Sequence, residues 1–265
     1  MYPVSYHKPA SVDDAVKALS SGEEAMVLAG GQTLIATMKQ HLAAPSDLVD
    51  IRGIAELSGI KISGDTLSIG AAMTHAEVAA SKDVQKHIPA LACLAAGIGD
   101  PAVRHMGTLG GSVANNDPAA DYPAALLALG ATVVTNKREI AADDFFTGLF
   151  STDLEDGEII TRVDFDKTEA AGYAKFAQPA SLYALVGVFV AKRGGDVRVA
   201  ITGAGDDGVF RSEALEAALA KDFSEAAAKG AGVSADNLMS DIHGDADYRA
   251  HLIRVMAARA VAGAA

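Results

Sequence analysis

The amino-acid sequence predicts a chain of two domains, a mixed α/β region followed by a smaller α+β region. Helical and strand-like patterns alternate over about the first 165 residues. After residue 170, three strands follow one another and Ala-rich helical segments complete the chain, which is the layout of a separate α+β domain. The chain has 265 residues, 50% of them hydrophobic, which suffices for one large or two ordinary domains. We therefore place a domain boundary near residue 168.

The first elements predict a strand–loop–helix–strand unit. Residues 11–20 carry apolar side chains at helical spacing, and Ser11 suits the N-cap position of this helix. The apolar run AMVLAG (25–30) indicates a strand, and a helical run that stops at Pro45 follows it. The run DLVDI (47–51) indicates the next strand. Two strands joined through a helix predict a parallel crossover.

The rest of the chain continues this alternation and then changes character. Residues 60–70 alternate apolar and polar side chains around a Gly-Asp pair, which predicts a β-hairpin. Helices are predicted over residues 71–80 and 88–98, and a helix that leads into a strand over residues 120–135. Three strands are predicted between residues 170 and 205, with a Gly-Gly-Asp turn between the last two.

Composition and residue spacing exclude several classes of function. A net charge of −12 argues against a nucleic-acid-binding surface. The single cysteine, Cys93, excludes disulfides and cysteine-bound clusters within the chain, and its apolar surroundings lead us to expect a small core residue. The seven histidines show no metal-ligand spacing, so no metal site is predicted. We find no signal peptide and no membrane-spanning run, and we expect a cytoplasmic protein.

Two loops contain glycine pairs with small polar neighbours, LAGGQTL (28–34) and GTLGGSV (107–113). Glycine lets backbone N–H groups converge on an anion, and a helix after the first loop adds its positive end. Together the loops would suit a diphosphate held from two sides. Neither loop matches the GxGxxG or Walker pattern. A glycine pair is also a common turn, so the residues alone leave both interpretations open.

Two acidic residues after the second loop also allow two interpretations. Asp117, followed by Pro118, suits an N-cap with proline at the first helical position. Asp121 suits the first turn of the same helix, or it accepts hydrogen bonds from ribose or another hydroxyl. The chain has no GxSxG motif and no reactive cysteine in a polar setting, so we predict no catalytic nucleophile.

Three long segments give the chain its closest resemblance to a known family. They are AGGQTLIATMKQHLAAPSDLVDI (29–51), IGAAMTHAEVA (69–79) and IGDPAVRHMGTLGGSVANNDPAADYPAALLALGA (98–131). These segments resemble the FAD-binding medium subunits of molybdenum hydroxylases, the family of bacterial carbon monoxide dehydrogenase and xanthine dehydrogenase. The similarity also covers residues 6–19, 175–191 and 248–261, and so extends over nearly the whole chain.

The resemblance implies an α+β fold with a specific domain organisation. Residues 1–168 would form a two-part FAD-binding module of the vanillyl-alcohol-oxidase (PCMH) type, with subdomains of about 1–55 and 56–168. Residues 169–265 would form a C-terminal α+β domain with a three-stranded antiparallel sheet and helices.

The resemblance also implies the residues that bind FAD. Two loops match those that hold the diphosphate, one acidic residue matches a contact to FAD, one backbone position lines the flavin, and one tyrosine lies near the isoalloxazine ring. The first loop is Ala29, Gly30, Gly31, Gln32 and Thr33, and the second is Thr108, Leu109, Gly110, Gly111 and Ser112. The acidic residue is Asp121, the backbone position is Ile160 and the tyrosine is Tyr183. Two departures stand out, because Ala177 replaces a cation found in many relatives and Gln32 replaces a histidine found in some.

By resemblance, this chain would be an oxidoreductase subunit that transfers electrons. A small partner subunit would carry two [2Fe-2S] clusters, and a large one the molybdopterin cofactor, in a heterotrimer whose further dimerisation is left open. FAD on this chain would take electrons from the clusters and pass them to an external acceptor. A stand-alone FAD oxidase or reductase and a scaffold that has lost FAD are the alternatives. The substrate of the complex and its final acceptor stay open.

Overall fold

A computed structural model gives the structure of all 265 residues. Near the N-terminus, three short strands form a parallel sheet in the order β1-β3-β2. The elements of this part are β1 (Ser5–His7), α1 (Val12–Ser21), β2 (Ala25–Leu28), α2 (Leu34–Lys39) and β3 (Asp47–Asp50). The parallel pairing of β2 with β3 confirms the predicted crossover, and Ser11 caps α1 as expected.

The second part is an antiparallel sheet of five strands, in the order β4-β5-β10-β6-β7, with helices against it. The strands are β4 (Ile60–Ser63), β5 (Thr66–Gly70), β6 (Thr132–Thr135), β7 (Glu139–Ala141) and β10 (Ile160–Asp166), and β8 (Phe146–Gly148) and β9 (Ser151–Thr152) form a separate hairpin. The helices are α3 (His75–Ala80), α4 (Lys82–His87), α5 (Pro89–Ala96), α6 (Pro101–Arg104), α7 (Leu109–Asn115), α8 (Tyr122–Leu129) and α9 (Ala142–Phe145), with a 3₁₀ turn at Ala55–Leu57.

The hairpin predicted over residues 60–70 is the β4–β5 pair. Helix α3 begins later than predicted because Thr74 and Glu77 form a capping box that fixes its first turn.

The C-terminal part contains four antiparallel strands in the order β11-β12-β13-β14. Its elements are β11 (Ala170–Ala177), β12 (Ala184–Arg193), β13 (Asp196–Gly205), β14 (Gly208–Arg211), α10 (Glu213–Lys221), α11 (Glu225–Gly230) and α12 (Ala246–Ala262). The fourth strand is not predicted from the sequence, because it begins at Gly208 directly after two aspartates, residues that are typical of a turn. None of the helices in the protein combines the length and apolar character that crossing a bilayer requires.

The C-terminal sheet is buried on both faces. Residues 184–191 of β12 are all buried, and from Val188 onwards they alternate between two cores. Phe189 packs in the core of the five-stranded region, whereas Val188 and Val190 pack with the C-terminal helices. The two predicted domains therefore share a core, and the boundary predicted near residue 168 falls in residues 167–169, between β10 and β11.

Cys93 is exposed, so the expectation that it is a core residue is wrong. Helix α5 buries Leu91 and Leu94 and turns Cys93 towards solvent. In a helix that is apolar on every side, the sequence pattern does not show which face is outward.

Candidate functional site

A cavity of about 620 Å³ lies where loops from all three parts of the chain meet. This volume is within the range of small-molecule and cofactor sites. Four segments supply much of its wall: residues 29–34 after β2, 107–115 at the start of α7, 155–158 before β10, and 181–183 between β11 and β12. Both glycine loops of the sequence analysis thus meet at one cavity.

The first glycine loop presents unused hydrogen-bond donors. None of the backbone N–H groups of residues 29–34 donates a hydrogen bond within the chain. Thr33 is the N-cap residue of α2, and its hydroxyl makes no capping bond. Free N–H groups at a helix start carry partial positive charge and bind anions. The loop is therefore suited to hold an anionic group such as a diphosphate.

Two glycines determine the shape of this first loop. Gly31 has a φ of +71°, a left-handed conformation that favours glycine. A Cβ on Gly30 would lie 2.1 Å from the carbonyl oxygen of Met106 and 2.7 Å from the Cα of Gly107. Gly30 therefore allows the first loop to lie directly against the start of the second.

The second glycine loop uses its N–H groups inside the protein. The N–H groups of Leu109 and Gly110 donate to the carbonyl oxygens of Met73 and Ala71, at 2.9 and 2.8 Å. A Cβ on Gly110 would lie 2.5 Å from the Cβ of Ala71. Gly110 thus permits close packing behind the cavity wall rather than contact with a ligand.

Thr108 closes this second loop onto helix α7. Its hydroxyl accepts a hydrogen bond from the N–H of Gly111 at 3.1 Å, and its carbonyl accepts one from Ser112 at 3.0 Å. The Thr108 N–H makes no hydrogen bond within the chain, and the Ser112 side chain donates none. The second loop therefore offers the cavity one backbone donor and one hydroxyl.

Asp121 lies in the wall where the five-stranded part of the chain meets the C-terminal part. It is 4% exposed, its Oδ1 accepts a hydrogen bond from the Tyr173 hydroxyl at 2.5 Å, and the Lys175 ammonium forms an ion pair with the same oxygen at 2.8 Å. Burial raises the pKa of the Asp121 carboxyl, and the Lys175 charge opposes that shift. Burial and the Asp121 charge raise the pKa of Tyr173 well above its usual value. Asp121 is thus held by β11 of the C-terminal sheet.

Tyr183 stands at the same end of the cavity, on the loop between β11 and β12. Its side chain remains 44% exposed and lines the cavity beside Leu182. Burial, followed by the charges of Asp117 and Asp121, raises the pKa of the Tyr183 hydroxyl. An aromatic ring in this position can pack against a planar ligand.

A turn of acidic residues, 155–158, forms another part of the wall, and Glu158 anchors it. The Glu158 carboxylate is fully buried and accepts hydrogen bonds from Arg138, the Thr135 hydroxyl and the Glu155 N–H. Burial opposes ionisation, but these donors outweigh it and lower the pKa of Glu158 to about 2. The turn is therefore fixed by an internal ion pair.

A buried histidine also borders the cavity. His75 is 4% exposed, and its Nδ1 has no hydrogen-bond partner. Its ring lies 5.4 Å from that of Tyr122, whose hydroxyl is also buried without a partner. Burial, with a smaller contribution from Arg104, lowers the pKa of His75 to about 4. His75 thus adds a neutral imidazole to the wall, a residue that the sequence analysis did not select.

The cavity wall contains acids but no lysine or arginine. Its acidic residues are Asp117, Asp121, Glu155, Asp156 and Glu158. A bound diphosphate would therefore rely on backbone N–H groups, hydroxyls and the start of α2 instead of cationic side chains. The free N–H groups of residues 29–34 meet that requirement, so the residues present fit FAD.

The structure brings together most of the residues predicted to bind FAD. Those that line the cavity are Ala29, Gly30, Gly31, Gln32, Thr33, Thr108, Gly111, Ser112, Asp121 and Tyr183. Leu109, Gly110 and Ile160 do not line it. Leu109 and Ile160 are buried in the core, and Gly110 packs behind the wall.

The two departures from the family pattern lie in different environments. Gln32 is exposed at the cavity wall, where its amide is free to hydrogen-bond a ligand. Ala177 is the last residue of β11 and does not line the cavity.

The N-cap interpretation of Asp117 is wrong. Its carboxylate accepts a hydrogen bond from the N–H of Ala119 at 2.8 Å, which is an Asx turn, and the next helix begins only at Tyr122. Helix α7 ends at Asn115, and Asn116 follows it with a left-handed φ of 42°. Asp121 instead takes the N-cap position of α8, although its side chain makes no capping bond.

Lys175 is the residue whose contribution sequence reasoning missed. The signal that was present is its spacing: Tyr173 and Lys175 are two positions apart in a strand, which places them on one face. The sequence does not show that Asp121 lies opposite them, because that pairing crosses from one part of the chain to the other.

Comparison with known proteins finds similarity along the whole chain. A family model described as "FAD binding domain in molybdopterin dehydrogenase" matches residues 2–165. The nicotine 6-hydroxylase medium subunit of Paenarthrobacter nicotinovorans is 36% identical over 97% of this chain and 96% of its own length. The carbon monoxide dehydrogenase medium chain of Hydrogenophaga pseudoflava is 35% identical over 97% of this chain and 95% of its own. A solved structure of carbon monoxide dehydrogenase from Hydrogenophaga pseudoflava superposes with a TM-score of 0.89, covering 99% of this chain and 98% of the other.

Proposed function

This chain belongs to the family of FAD-binding domains of molybdopterin dehydrogenases, and from that premise we propose that it carries electrons within a molybdenum hydroxylase complex. It is an FAD-binding oxidoreductase subunit of the medium-subunit type. In the proposed role, bound FAD takes electrons from iron–sulfur clusters of a small subunit and passes them to an external acceptor. A large subunit carries the molybdopterin cofactor, where the substrate reacts.

The observation that carries this proposal is the first glycine loop. Residues 29–34 line a cavity that has no cationic side chain, and none of their backbone N–H groups has a partner within the chain. A dinucleotide supplies the anionic diphosphate that such a row requires. The second loop fixes the facing wall, and Thr108 and Ser112 add polar groups to it.

The proposed cofactor-binding residues are the predicted ones that line the cavity, which leaves out Leu109, Gly110 and Ile160. In this proposal residues 29–33 hold the diphosphate, and Asp121 and Tyr183 lie near the flavin. FAD supplies the redox chemistry when it is bound. The chain's own residues bind it, orient it and shield it, and this task requires no catalytic acid or base.

Sequence and composition support the proposal that the iron–sulfur clusters and the molybdenum cofactor are bound by other subunits. The chain has one cysteine, too few to ligate an iron–sulfur cluster. The relatives named above are medium subunits or medium chains over nearly their full length, so this chain has the extent of one subunit of such a complex. The clusters and the molybdenum cofactor therefore belong to partners in the proposed assembly.

The test is the composition of the complex isolated through a tag on this chain. We expect FAD, iron and molybdenum to co-purify in fixed proportion with two further polypeptides. We also expect the purified chain alone to bind FAD much more tightly than riboflavin, since riboflavin lacks the diphosphate. A lone flavoprotein that turns over a small substrate without partners would instead support a stand-alone oxidase or reductase.

A further inference from the structure

Lys175 connects three segments of the chain from a nearly buried position. Its side chain is 9% exposed. The ammonium donates to the carbonyl oxygens of Gly97 and Leu182, both at 2.9 Å, and lies 2.8 Å from Oδ1 of Asp121. The ammonium makes two hydrogen bonds to backbone and one ion pair. One side chain thus joins the end of α5, the start of α8 and the loop between β11 and β12.

The loop of residues 178–183 depends on this contact. Within the loop, the Gln178 N–H donates to the Tyr183 carbonyl at 2.8 Å and the Leu182 N–H donates to the Gln178 carbonyl at 2.9 Å. Leu182 has a φ of +62°, an uncommon conformation for a leucine. The bond from Lys175 to the Leu182 carbonyl is the only hydrogen bond between this loop and the rest of the protein.

The same ammonium faces the acidic wall of the cavity. Ser181, Leu182 and Tyr183 line the cavity, and Asp121 lies beside them. Since no lysine or arginine lines the cavity itself, Lys175 is the cation that balances Asp121 from behind the wall.

We propose that Lys175 is a positioning residue with two tasks. It holds the loop of residues 178–183, and with it Tyr183, against the cavity, and it balances the charge of Asp121 at the same wall. The first task concerns the protein alone. The second bears on bound FAD and so rests on the proposed function.

Hydrogen exchange of the apo-protein tests the first task. Replacing Lys175 with Met keeps the apolar stem of the side chain and removes the ammonium. We expect the Gln178 and Leu182 amides to exchange at least about tenfold faster in Lys175→Met, as the loss of a charge-assisted hydrogen bond implies. Tyr173→Phe is the matched control, because it removes the other donor to Asp121 without touching the loop. Equal acceleration in both variants, or none in Lys175→Met, would overturn the proposal.

A double variant keeps the test valid if Lys175→Met folds poorly. Leaving Asp121 buried without its cation is strongly destabilising, whereas removing both charges is far less so. In Asp121→Asn/Lys175→Met the bond to the Leu182 carbonyl is still absent. The loop amides should therefore exchange fast in the double variant as well, and slow exchange there would contradict the proposal.

The midpoint potential of bound FAD tests the second task. We expect Lys175→Met to lower the potential, because the loss of a positive charge beside the cavity disfavours the addition of electrons. The double variant should return towards the wild-type value. An unchanged potential in Lys175→Met would overturn the charge-balancing task. If the wild-type chain binds no FAD, the proposed function is wrong. Hydrogen exchange of the apo-protein still tests the first task in that case.

Discussion

The two glycine loops look alike in the sequence, yet the structure gives them different tasks. The first loop, residues 28–34, leaves the N–H groups of residues 29–34 without partners. The second, residues 107–113, directs most of its N–H groups into bonds with Ala71, Met73 and Thr108. Both loops contain a glycine that lets backbone pack closely, Gly30 in the first and Gly110 in the second, but only the first loop also leaves a row of N–H donors free. Only the hydrogen-bond partners distinguish the two.

The largest effect should come from filling the space behind the second loop. In Gly110→Ala the new Cβ would lie 2.5 Å from the Cβ and 2.8 Å from the carbonyl oxygen of Ala71, so backbone must move. We expect a loss of about 2–3 kcal/mol in the free energy of unfolding, measured by denaturant titration. Gly111→Ala is the control, because its Cβ would meet side chains and no backbone: the Thr108 hydroxyl at 2.8 Å, which can rotate, and the Ala29 Cβ at 3.4 Å. We expect a smaller loss of about 1 kcal/mol from the disturbed cap. Equal losses in both variants would refute the division of tasks.

The turn of residues 155–158 also lines the cavity, and its anchor, Glu158, makes the stability of the protein depend on pH. The folded state holds the pKa of Glu158 at about 2, below the usual value of 4.5. Its contribution to stability is therefore complete above about pH 4.5 and is lost as the pH falls towards 2. Between about pH 4.5 and 2, we expect the wild type to lose roughly 2 kcal/mol more free energy of unfolding than Glu158→Gln, because glutamine does not titrate. An identical pH profile in the variant would show that the ion pair does not anchor the turn.

Substitution in the first loop should affect ligand binding more than stability. In Gly31→Ala the backbone of the alanine must adopt a φ of +71°, at a cost of about 1–2 kcal/mol. The free N–H groups would also change direction, so we expect FAD to bind at least about tenfold more weakly. Equilibrium dialysis of FAD against Gly31→Ala and Gly111→Ala measures the difference. If Gly111→Ala weakens FAD as strongly, the first loop is not the main diphosphate site.

The smallest effect concerns the two threonines that precede the helices. Thr108 caps α7 through its hydroxyl, whereas the Thr33 hydroxyl makes no capping bond to α2. Thr108→Ala should therefore destabilise the apo-protein by about 1 kcal/mol, and Thr33→Ala by much less. Thermal unfolding of both variants without cofactor provides the measurement. A reversed order would mean that the first loop, too, is closed by its own side chains.

The fold class, the first crossover and the β4–β5 hairpin could be predicted because each depends on local periodicity or on similarity over long segments. The mixed α/β architecture and the family are confirmed by the match of residues 2–165 and by the superposition on carbon monoxide dehydrogenase. The exposure of Cys93 and the fourth C-terminal strand could not be predicted. An all-apolar helix has no outward pattern, and β14 begins at a glycine after two aspartates, a composition typical of a turn.

By itself, the sequence marked both loops, because glycine pairs and small polar residues identify a loop wherever it lies. Local chemistry left the loops and Asp121 open to two interpretations, and only the resemblance over long segments singled out a cofactor cavity and Tyr183. Tertiary structure decided which donors are free, that Gly110 serves packing, and that Lys175 joins Asp121 to the loop of Tyr183. These properties depend on partners distant in sequence, and no local pattern records which distant groups the fold brings within hydrogen-bond distance.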